Sequence, residues 1–145
     1  MAEQGVRLED LPEPGVPEGF GPMVRSSPFL DRIGPLYSRG RAPGLVIGFR
    51  VLAHHANNRG GLHGGVLPAV ADVLAGYNLA LAHEPPRRLV TTSLALDYLG
   101  AASVGDWVEA GCEFRHEGAR LSVVLCTFGC GGRDIARATV RFVPA

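Results

Sequence analysis

A glycine-rich polar segment that runs into an apolar one holds the residues best suited to chemistry. Glycines at positions 60, 61, 64 and 65 surround His63, and the apolar run from Gly64 to Ala82 contains one charged residue, Asp72. Glycine permits tight turns and lets a ligand approach the backbone closely. A helix that starts here presents unpaired N–H groups and the positive end of its dipole, with Asp72 about two turns further on. These are the parts needed to polarise a carbonyl group and to activate a water molecule.

The elements that must position these residues follow from the local pattern. The run from Gly64 to about Ala82 is apolar on all sides, which predicts a buried helix, and Glu84-Pro85-Pro86 ends it. A strand over Gly44–Ala53 and a loop over His54–Leu62 are predicted before this helix. Ser26-Ser27-Pro28 is typical of a helix start and opens a short helix over Phe29–Ile33.

The chain after the long helix is strand-like throughout. Four strands are predicted, over Leu89–Leu99, Asp106–Arg115, Ala119–Gly129 and Ile135–Val143. Hairpin turns are expected at His116-Glu117-Gly118 and at Gly131-Gly132-Arg133-Asp134. Strict alternation divides each strand into two faces. In the first strand it groups Val90, Thr92, Leu94, Leu96 and Tyr98 against Thr91, Ser93, Ala95 and Asp97, and in the last it places Ala136, Ala138, Val140 and Phe142 on the core side.

Composition limits the class of protein. The 145 residues suffice for one domain with a core, and 46% hydrophobic with 19% charged residues is ordinary for a globular protein. A formal net charge of zero gives no electrostatic case for nucleic acid or an anionic membrane. No signal peptide or membrane span is recognised, and three cysteines without metal-site spacing indicate reduced thiols. We expect a cytoplasmic protein with an irregular arm over residues 1–25 and one domain over residues 26–145.

Several motifs resemble those of hotdog-fold acyl-CoA thioesterases of the PaaI-like, phenylacetate-pathway branch of the 4-hydroxybenzoyl-CoA thioesterase superfamily. The resemblance covers about residues 26–144. It implies an α+β hotdog fold, in which an antiparallel β-sheet wraps around one long central helix. The matching segments are Ser27-Pro28-Phe29-Leu30, Asn57-Asn58-Arg59-Gly60-Gly61-Leu62-His63-Gly64-Gly65, Asp72, Thr91 through Tyr98-Leu99, and Val104-Gly105-Asp106.

The resemblance also implies a role for each matching residue. The Gly64 N–H polarises the thioester oxygen with help from Asn57, and Asp72 of the facing subunit acts as general base or nucleophile. Thr91 positions the water. His63 lies at the edge of the site, where it orients Asn57 or the thiol leaving group. Homodimers or homotetramers with active sites between subunits are implied, without metal or cofactor.

Substrate contacts beyond the reacting atoms are also predicted. Gly65 is expected to border the substrate, and Arg120, near the Gly118–Arg120 hairpin where relatives often carry a basic residue, to meet the phosphates of coenzyme A. Gly100-Ala101 stand where many relatives have a polar or basic residue and a proline, so this turn is not expected to contact phosphate. Arg87-Arg88 and Arg115 are further candidates for phosphate contact.

Each residue also has a purely structural interpretation. Asp72 could be a buried cap, Gly64 and Gly65 could serve close packing, and His63 and Thr91 could be an ordinary loop histidine and strand residue. Paired histidines at positions 54 and 55 have no acidic or cysteine partner at ligand spacing, so no metal site is predicted.

The sequence is therefore compatible with several functions. The first is hydrolysis of an acyl-CoA with an aryl or medium-length acyl group, which the small residues Ala69, Ala75 and Gly76 would accommodate. The second is release of an acyl group from a carrier protein, for which the Arg87-Arg88 pair is the only hint of a docking surface. The third is non-catalytic acyl-CoA binding, and a hotdog dehydratase is a fourth.

Overall fold

A computed structural model describes residues 15–23 and 25–145 of the chain. It contains one seven-stranded antiparallel sheet and one long helix, in the spatial order β1-β2-β3-β5-β6-β7-β4. This is the architecture that the resemblance implies. The strands are β1 Gly21–Pro22, β2 Tyr37–Arg39, β3 Val46–Arg50, β4 Leu89–Tyr98, β5 Trp107–Glu117, β6 Ser122–Cys130 and β7 Arg133–Pro144, and the helices are α1 Pro28–Ile33 and α2 Val66–Leu81.

The short helix begins where the sequence predicts. The Ser27 hydroxyl caps α1 by accepting the Leu30 N–H over 3.2 Å, and Pro28 occupies the first turn, where its missing N–H costs little. At the other end, the Gly34 N–H donates to the Leu30 carbonyl over 2.8 Å. The predicted start and end of α1 are thereby confirmed.

The strand predicted over Gly44–Ala53 is shorter than expected. It ends at Arg50, and residues 53–55 form a 3₁₀ turn instead. The physical reason is the buried His55, whose Nδ1 accepts the Leu52 N–H over 2.9 Å and so removes that N–H from the sheet ladder. The chain then turns towards the loop before α2.

The sheet packs against one face of α2. The core side of the helix consists of Leu67, Val70, Ala71, Leu74, Ala75, Asn78 and Leu79. Asn78, a polar residue in that core, is satisfied because its Oδ1 accepts the Leu45 N–H at 2.8 Å and its Nδ2 donates to the Leu45 carbonyl at 3.0 Å. The other face of α2, including Asp72, is only half-buried, so burial on all sides is not reached within one chain.

A β-bulge corrects the predicted faces of β4. Thr91 pairs with Phe142 and Ser93 with Arg141, so Thr92 is one extra residue on this strand. Because an extra residue inverts the side-chain alternation, Val90 and Thr92 lie on the opposite face from Leu94. The predicted grouping is therefore wrong before the bulge. The helix-facing side of β4 carries Thr91, Leu94, Leu96 and Tyr98, opposite the buried Phe142, Val140, Ala138 and Ala136 of β7.

The remaining strands lie where the sequence predicts them, but β7 is longer than predicted at both ends, and β6 begins at Ser122 instead of Ala119. The core face of β7 is confirmed, and the β6–β7 turn is at Gly131-Gly132, whose positive φ values of 57° and 78° suit a tight hairpin. The β5–β6 turn overlaps the predicted one only at Gly118 and extends to Leu121, because a bulge near Phe114 lengthens β5 to Glu117.

The predicted irregular arm is described only in part. Residues 1–14 lie outside the described residues. Gly21–Pro22 pairs with Ser38 and Tyr37, so this piece of the arm joins the edge of the sheet. The boundary between arm and domain remains a prediction. No helix in residues 15–23 and 25–145 is both long and apolar enough to cross a membrane.

Candidate active site

Asp72 is the only charged residue of α2, and a strand residue holds its carboxylate. The Thr91 hydroxyl of β4 donates to Asp72 Oδ1 over 2.6 Å. The bulge at Thr92 makes this contact possible, since it turns Thr91 towards the helix. A fixed hydroxyl on one carboxylate oxygen leaves Oδ2 available to accept a proton.

A cavity of about 280 Å³ opens beside Asp72 and Thr91. It extends along the half-buried face of α2 towards the helix C-terminus. Arg87 lines its far end, where the Arg87 N–H donates to the Ala80 carbonyl over 3.1 Å. The rest of its lining is Val73, Gly76, Tyr77, Ala80, Leu89 and Phe142. Such a lining suits an apolar group attached to a carbonyl that lies near Asp72.

The two glycines before α2 differ in the state of their N–H groups. The Gly65 N–H donates to His63 Nδ1 over 2.9 Å. The Gly64 N–H has no acceptor among the residues that the structure describes. It lies at the N-terminus of a sixteen-residue helix, where the dipole favours negative charge. Of the two, Gly64 therefore has the donor that is free to bind an oxyanion.

The position of His63 follows from the same hydrogen bond. Because Nδ1 accepts from Gly65, the neutral ring carries its proton on Nε2. The ring is exposed and packs close to Gly65, where an added Cβ would lie 3.0 Å from Nδ1. His63 thus shapes the turn before the helix, and its Nε2–H faces no acceptor among the described residues.

Asn57 organises the loop that precedes His63. Its Oδ1 accepts the Arg59 N–H at 2.8 Å and the Gly61 N–H at 3.2 Å. Since backbone N–H groups require an acceptor, the amide must present Oδ1 to the loop. Nδ2 is then the group that can donate to a substrate.

Tyr98 contacts Gly64, which sequence reasoning did not foresee. The Tyr98 hydroxyl donates to the Gly64 carbonyl over 2.9 Å. An added Cβ on Gly64 would lie 3.0 Å from Tyr98 Cε1, so the ring covers the glycine directly. The two residues are 34 positions apart, and no spacing rule links them. The resemblance had named Tyr98 only as part of a motif.

The predicted residues form two groups, not one. Asp72 and Thr91 are together, and His63, Gly64 and Gly65 are together with Asn57 in the loop before them. Eight residues separate Gly64 from Asp72, which corresponds to about 12 Å along the helix axis. One chain therefore does not bring the free Gly64 N–H to the carboxylate of Asp72.

The predicted phosphate contact, Arg120, lies on the β5–β6 turn and not on the turn before α2. Arg120 is exposed between β5 and β6. Arg87 donates to the Gly118 carbonyl of this turn over 3.3 Å and lies 3.5 Å from Glu117 Oε1. Glu117 also pairs with His83. Arg120 is thus connected through its turn to the Arg87 end of the cavity.

The paired histidines serve the packing of α1. His54 Nε2 contacts the Gly34 carbonyl at 2.6 Å, and His55 Nε2 contacts the Ile33 carbonyl. Burial lowers the pKa of His55 from its usual 6.5, against a smaller raising effect of the Ile33 carbonyl. These contacts give the two histidines a structural role.

The parts match the demands of acyl transfer. A free N–H at a helix start and an amide donor can stabilise negative charge on a carbonyl oxygen, typically by about 3 kcal/mol for each donor.

A profile of the family described as “Thioesterase superfamily” matches residues 59–135. Over 125 residues the chain is 42% identical to the Pseudomonas aeruginosa protein named “Putative esterase PA0474”, a match that spans 86% of this chain and 93% of that protein. The chain belongs to the thioesterase superfamily.

Membership of that superfamily makes the chain a thioester hydrolase. Solved structures share its fold. A hypothetical thioesterase of Streptococcus pneumoniae, solved with coenzyme A, matches with a TM-score of 0.70 at 22% identity, over 76% of this chain and 88% of the other. The PaaI protein of the Escherichia coli phenylacetic acid degradation operon matches with a TM-score of 0.66 at 21% identity, over 72% and 74% of the two chains. The hotdog fold and membership of the thioesterase superfamily are thereby confirmed, and the PaaI-like branch stays a prediction.

Proposed function

We propose that this thioesterase hydrolyses acyl-CoA thioesters with an aryl or medium-length acyl group to the free acid and coenzyme A. The observation that carries the proposal is the Asp72 carboxylate, held by Thr91 at the mouth of an apolar cavity. The coenzyme A bound to the Streptococcus pneumoniae relative supports this carrier.

In the proposed reaction the Gly64 N–H and Asn57 Nδ2 donate to the thioester oxygen. Asp72 of the facing subunit takes a proton from water as that water forms a bond to the carbonyl carbon. The C–S bond then breaks and the thiolate leaves, to be protonated as coenzyme A. Direct attack by the carboxylate, with hydrolysis of the resulting anhydride, is the other form of the same proposal.

The facing-subunit arrangement is supported by the distance within one chain. About 12 Å of helix separates Gly64 from Asp72, which is too far for both to touch one carbonyl group. A homodimer in which two chains exchange these groups would complete two sites. We carry forward a homodimer or homotetramer as the expected assembly.

Binding of the carrier and the acyl group follows the same geometry. The acyl group would lie in the cavity beside Asp72, with Gly65 bordering the thioester and Arg120 contacting phosphate. Arg87 is engaged by Gly118 and Glu117, so it offers little to a docking carrier protein. The free thiols of all three cysteines support a cytoplasmic location.

The experiment compares thiol release from aryl to long-chain acyl-CoAs by the wild type, Asp72→Asn and Asp97→Asn. Asp97 is the control because it is an exposed carboxylate on the outer face of the same strand, β4. We expect Asp72→Asn to lose at least about 100-fold in kcat, as general bases typically contribute this much, and Asp97→Asn to keep wild-type rates.

Three results would count against the proposal. Full activity in Asp72→Asn would overturn the site assignment. Absence of wild-type turnover on every acyl-CoA, with release of acyl groups from an acyl-carrier protein, would favour that carrier. Absence of turnover on both, with binding of acyl-CoA, would favour a non-catalytic binding protein.

A further inference from the structure

A single strand, β4, contacts both halves of the proposed site. Thr91 near its start holds Asp72, and Tyr98 at its end holds Gly64. These two residues are seven positions apart. In a regular strand an odd separation places side chains on opposite faces. The two contacts could therefore not coexist on an unbulged β4.

The bulge at Thr92 resolves this conflict. One extra residue changes the phase of the strand, so that Thr91 and Tyr98 both face the helix. Their cross-strand neighbours on β7, Phe142 and Ala136, are buried on that same side. The bulge is thus the feature that lets one strand support the general base and the helix N-terminus together.

Burial does not explain why Tyr98 lies against Gly64. Its side chain is 57% exposed, although the ring lies against Gly64 and the hydroxyl donates to the Gly64 carbonyl. Glycine has more backbone freedom than any other residue. The Gly64 carbonyl and the Gly64 N–H belong to successive peptide units that meet at the Gly64 Cα. A hydrogen bond to the carbonyl and a ring against the Cα restrict rotation at this Cα, and with it the direction of the Gly64 N–H.

We infer that Tyr98 is a positioning residue, which fixes the direction of the Gly64 N–H for the thioester oxygen. This inference rests on the proposed function for the role of Gly64. It assigns the β4 bulge a purpose as well, because without it Thr91 and Tyr98 could not both face the helix. In the proposed dimer each β4 then supports Asp72 of one site and Gly64 of the other.

The test is Tyr98→Phe, which keeps the ring and removes the hydroxyl, beside Tyr37→Phe as the control. Tyr37 lies on β2, away from the site, and its ring is 5.9 Å from that of Trp107 on β5. We expect Tyr98→Phe to lower kcat about fivefold with KM unchanged, because one hydrogen bond that orients the donor is lost. Tyr37→Phe should retain both constants.

A second readout does not depend on turnover. The NMR order parameter of the Gly64 amide should fall in Tyr98→Phe and stay at the wild-type value in Tyr37→Phe. A purely structural role for Tyr98 would lower the melting temperature and leave the order parameter and kcat of the folded enzyme unchanged.

The outcomes separate the two proposals. Loss of kcat together with a looser Gly64 amide supports the inference. An unchanged amide and unchanged kcat overturn it. A wild type without thioesterase activity, in which Tyr98→Phe nevertheless loosens Gly64, overturns the proposed function and upholds Tyr98 as the residue that orders this peptide.

Discussion

At the residue scale, Thr91 is important because it donates a hydrogen bond to a charged acceptor, the Asp72 carboxylate. Hydrogen bonds to charged groups contribute about 1.5–3 kcal/mol, more than neutral ones. The contact also selects which oxygen of the carboxylate remains available. A strand residue that would otherwise be an ordinary β-former thereby becomes part of the proposed site.

Thr91→Val should lower kcat/KM by about tenfold to 100-fold, because the hydroxyl is lost while the shape is kept. Thr91→Ser should retain most of the activity, since it keeps the hydroxyl. Thr92→Val is the matched control, because its hydroxyl contacts the Arg141 carbonyl on the other face at 3.3 Å. Initial rates of thiol release on the best acyl-CoA measure all three. Equal losses at positions 91 and 92 would contradict a specific role for Thr91.

At the scale of elements, the sequence predicted what depends on local pattern. Local pattern was sufficient to predict three features, because each is a property of neighbouring residues. These are the apolar run before Glu84-Pro85-Pro86, the Ser27 cap of α1 and the alternation of β7. The bulge at Thr92 was not predictable in this way, since it arises from register against β7. The same is true of the Tyr98–Gly64 contact, which joins distant parts of the chain.

The outer face of the sheet also depends on contacts that spacing does not reveal. Trp107 lies across Gly48, and Phe20 packs edge-on against Trp107 with ring centroids 5.2 Å apart. Arg50 lies over the Trp107 ring at 5.4 Å and donates to the Gly15 carbonyl at 3.1 Å. This cluster fixes the described part of the arm to the sheet, and it requires a residue without a side chain at position 48.

Gly48→Ala should lower the free energy of unfolding by about 1–3 kcal/mol, the usual cost of overpacking. The added methyl would lie 2.4 Å from Trp107 Cζ2 and 2.9 Å from Phe20 Cε1. Gly111→Ala on β5 is the control, because nothing lies within 4 Å of its added Cβ. Urea denaturation followed by tryptophan fluorescence measures both. A Gly48→Ala protein as stable as Gly111→Ala would contradict this account.

The buried His55 makes stability depend on pH. Burial lowers its pKa in the folded state below the usual 6.5, so between that lowered pKa and 6.5 the unfolded chain binds a proton that the folded chain does not. Protonation then favours unfolding, and the free energy of unfolding should fall as the pH decreases below 6.5. His55→Gln should reduce this dependence, whereas a variant at exposed His116, His116→Gln, should keep it. Chemical denaturation at several pH values tests the difference.

At the scale of the whole molecule, a single chain holds the proposed catalytic groups in two separate places. The sheet covers one face of α2, and the other face, with Asp72 and the cavity, is half-buried. The free Gly64 N–H lies about 12 Å away at the start of the same helix. A second chain that covers this face would bring its own Gly64 to Asp72 of the first. The division of the site and the open helix face thus have one explanation.

Mixing two inactive variants tests this explanation directly. In a dimer of one Asp72→Ala chain and one Asn57→Ala chain, the site that joins intact Asn57 of the first to intact Asp72 of the second is whole, and the other site is doubly defective. Random pairing makes half of the dimers mixed, with one active site in two, so we expect about a quarter of wild-type activity after joint refolding.

Asp72→Ala with Thr91→Val is the control pair. Because Thr91 and Asp72 of one chain serve the same site, that mixture should gain nothing. Recovery in neither mixture would place all the groups of each site in one chain and contradict the shared arrangement.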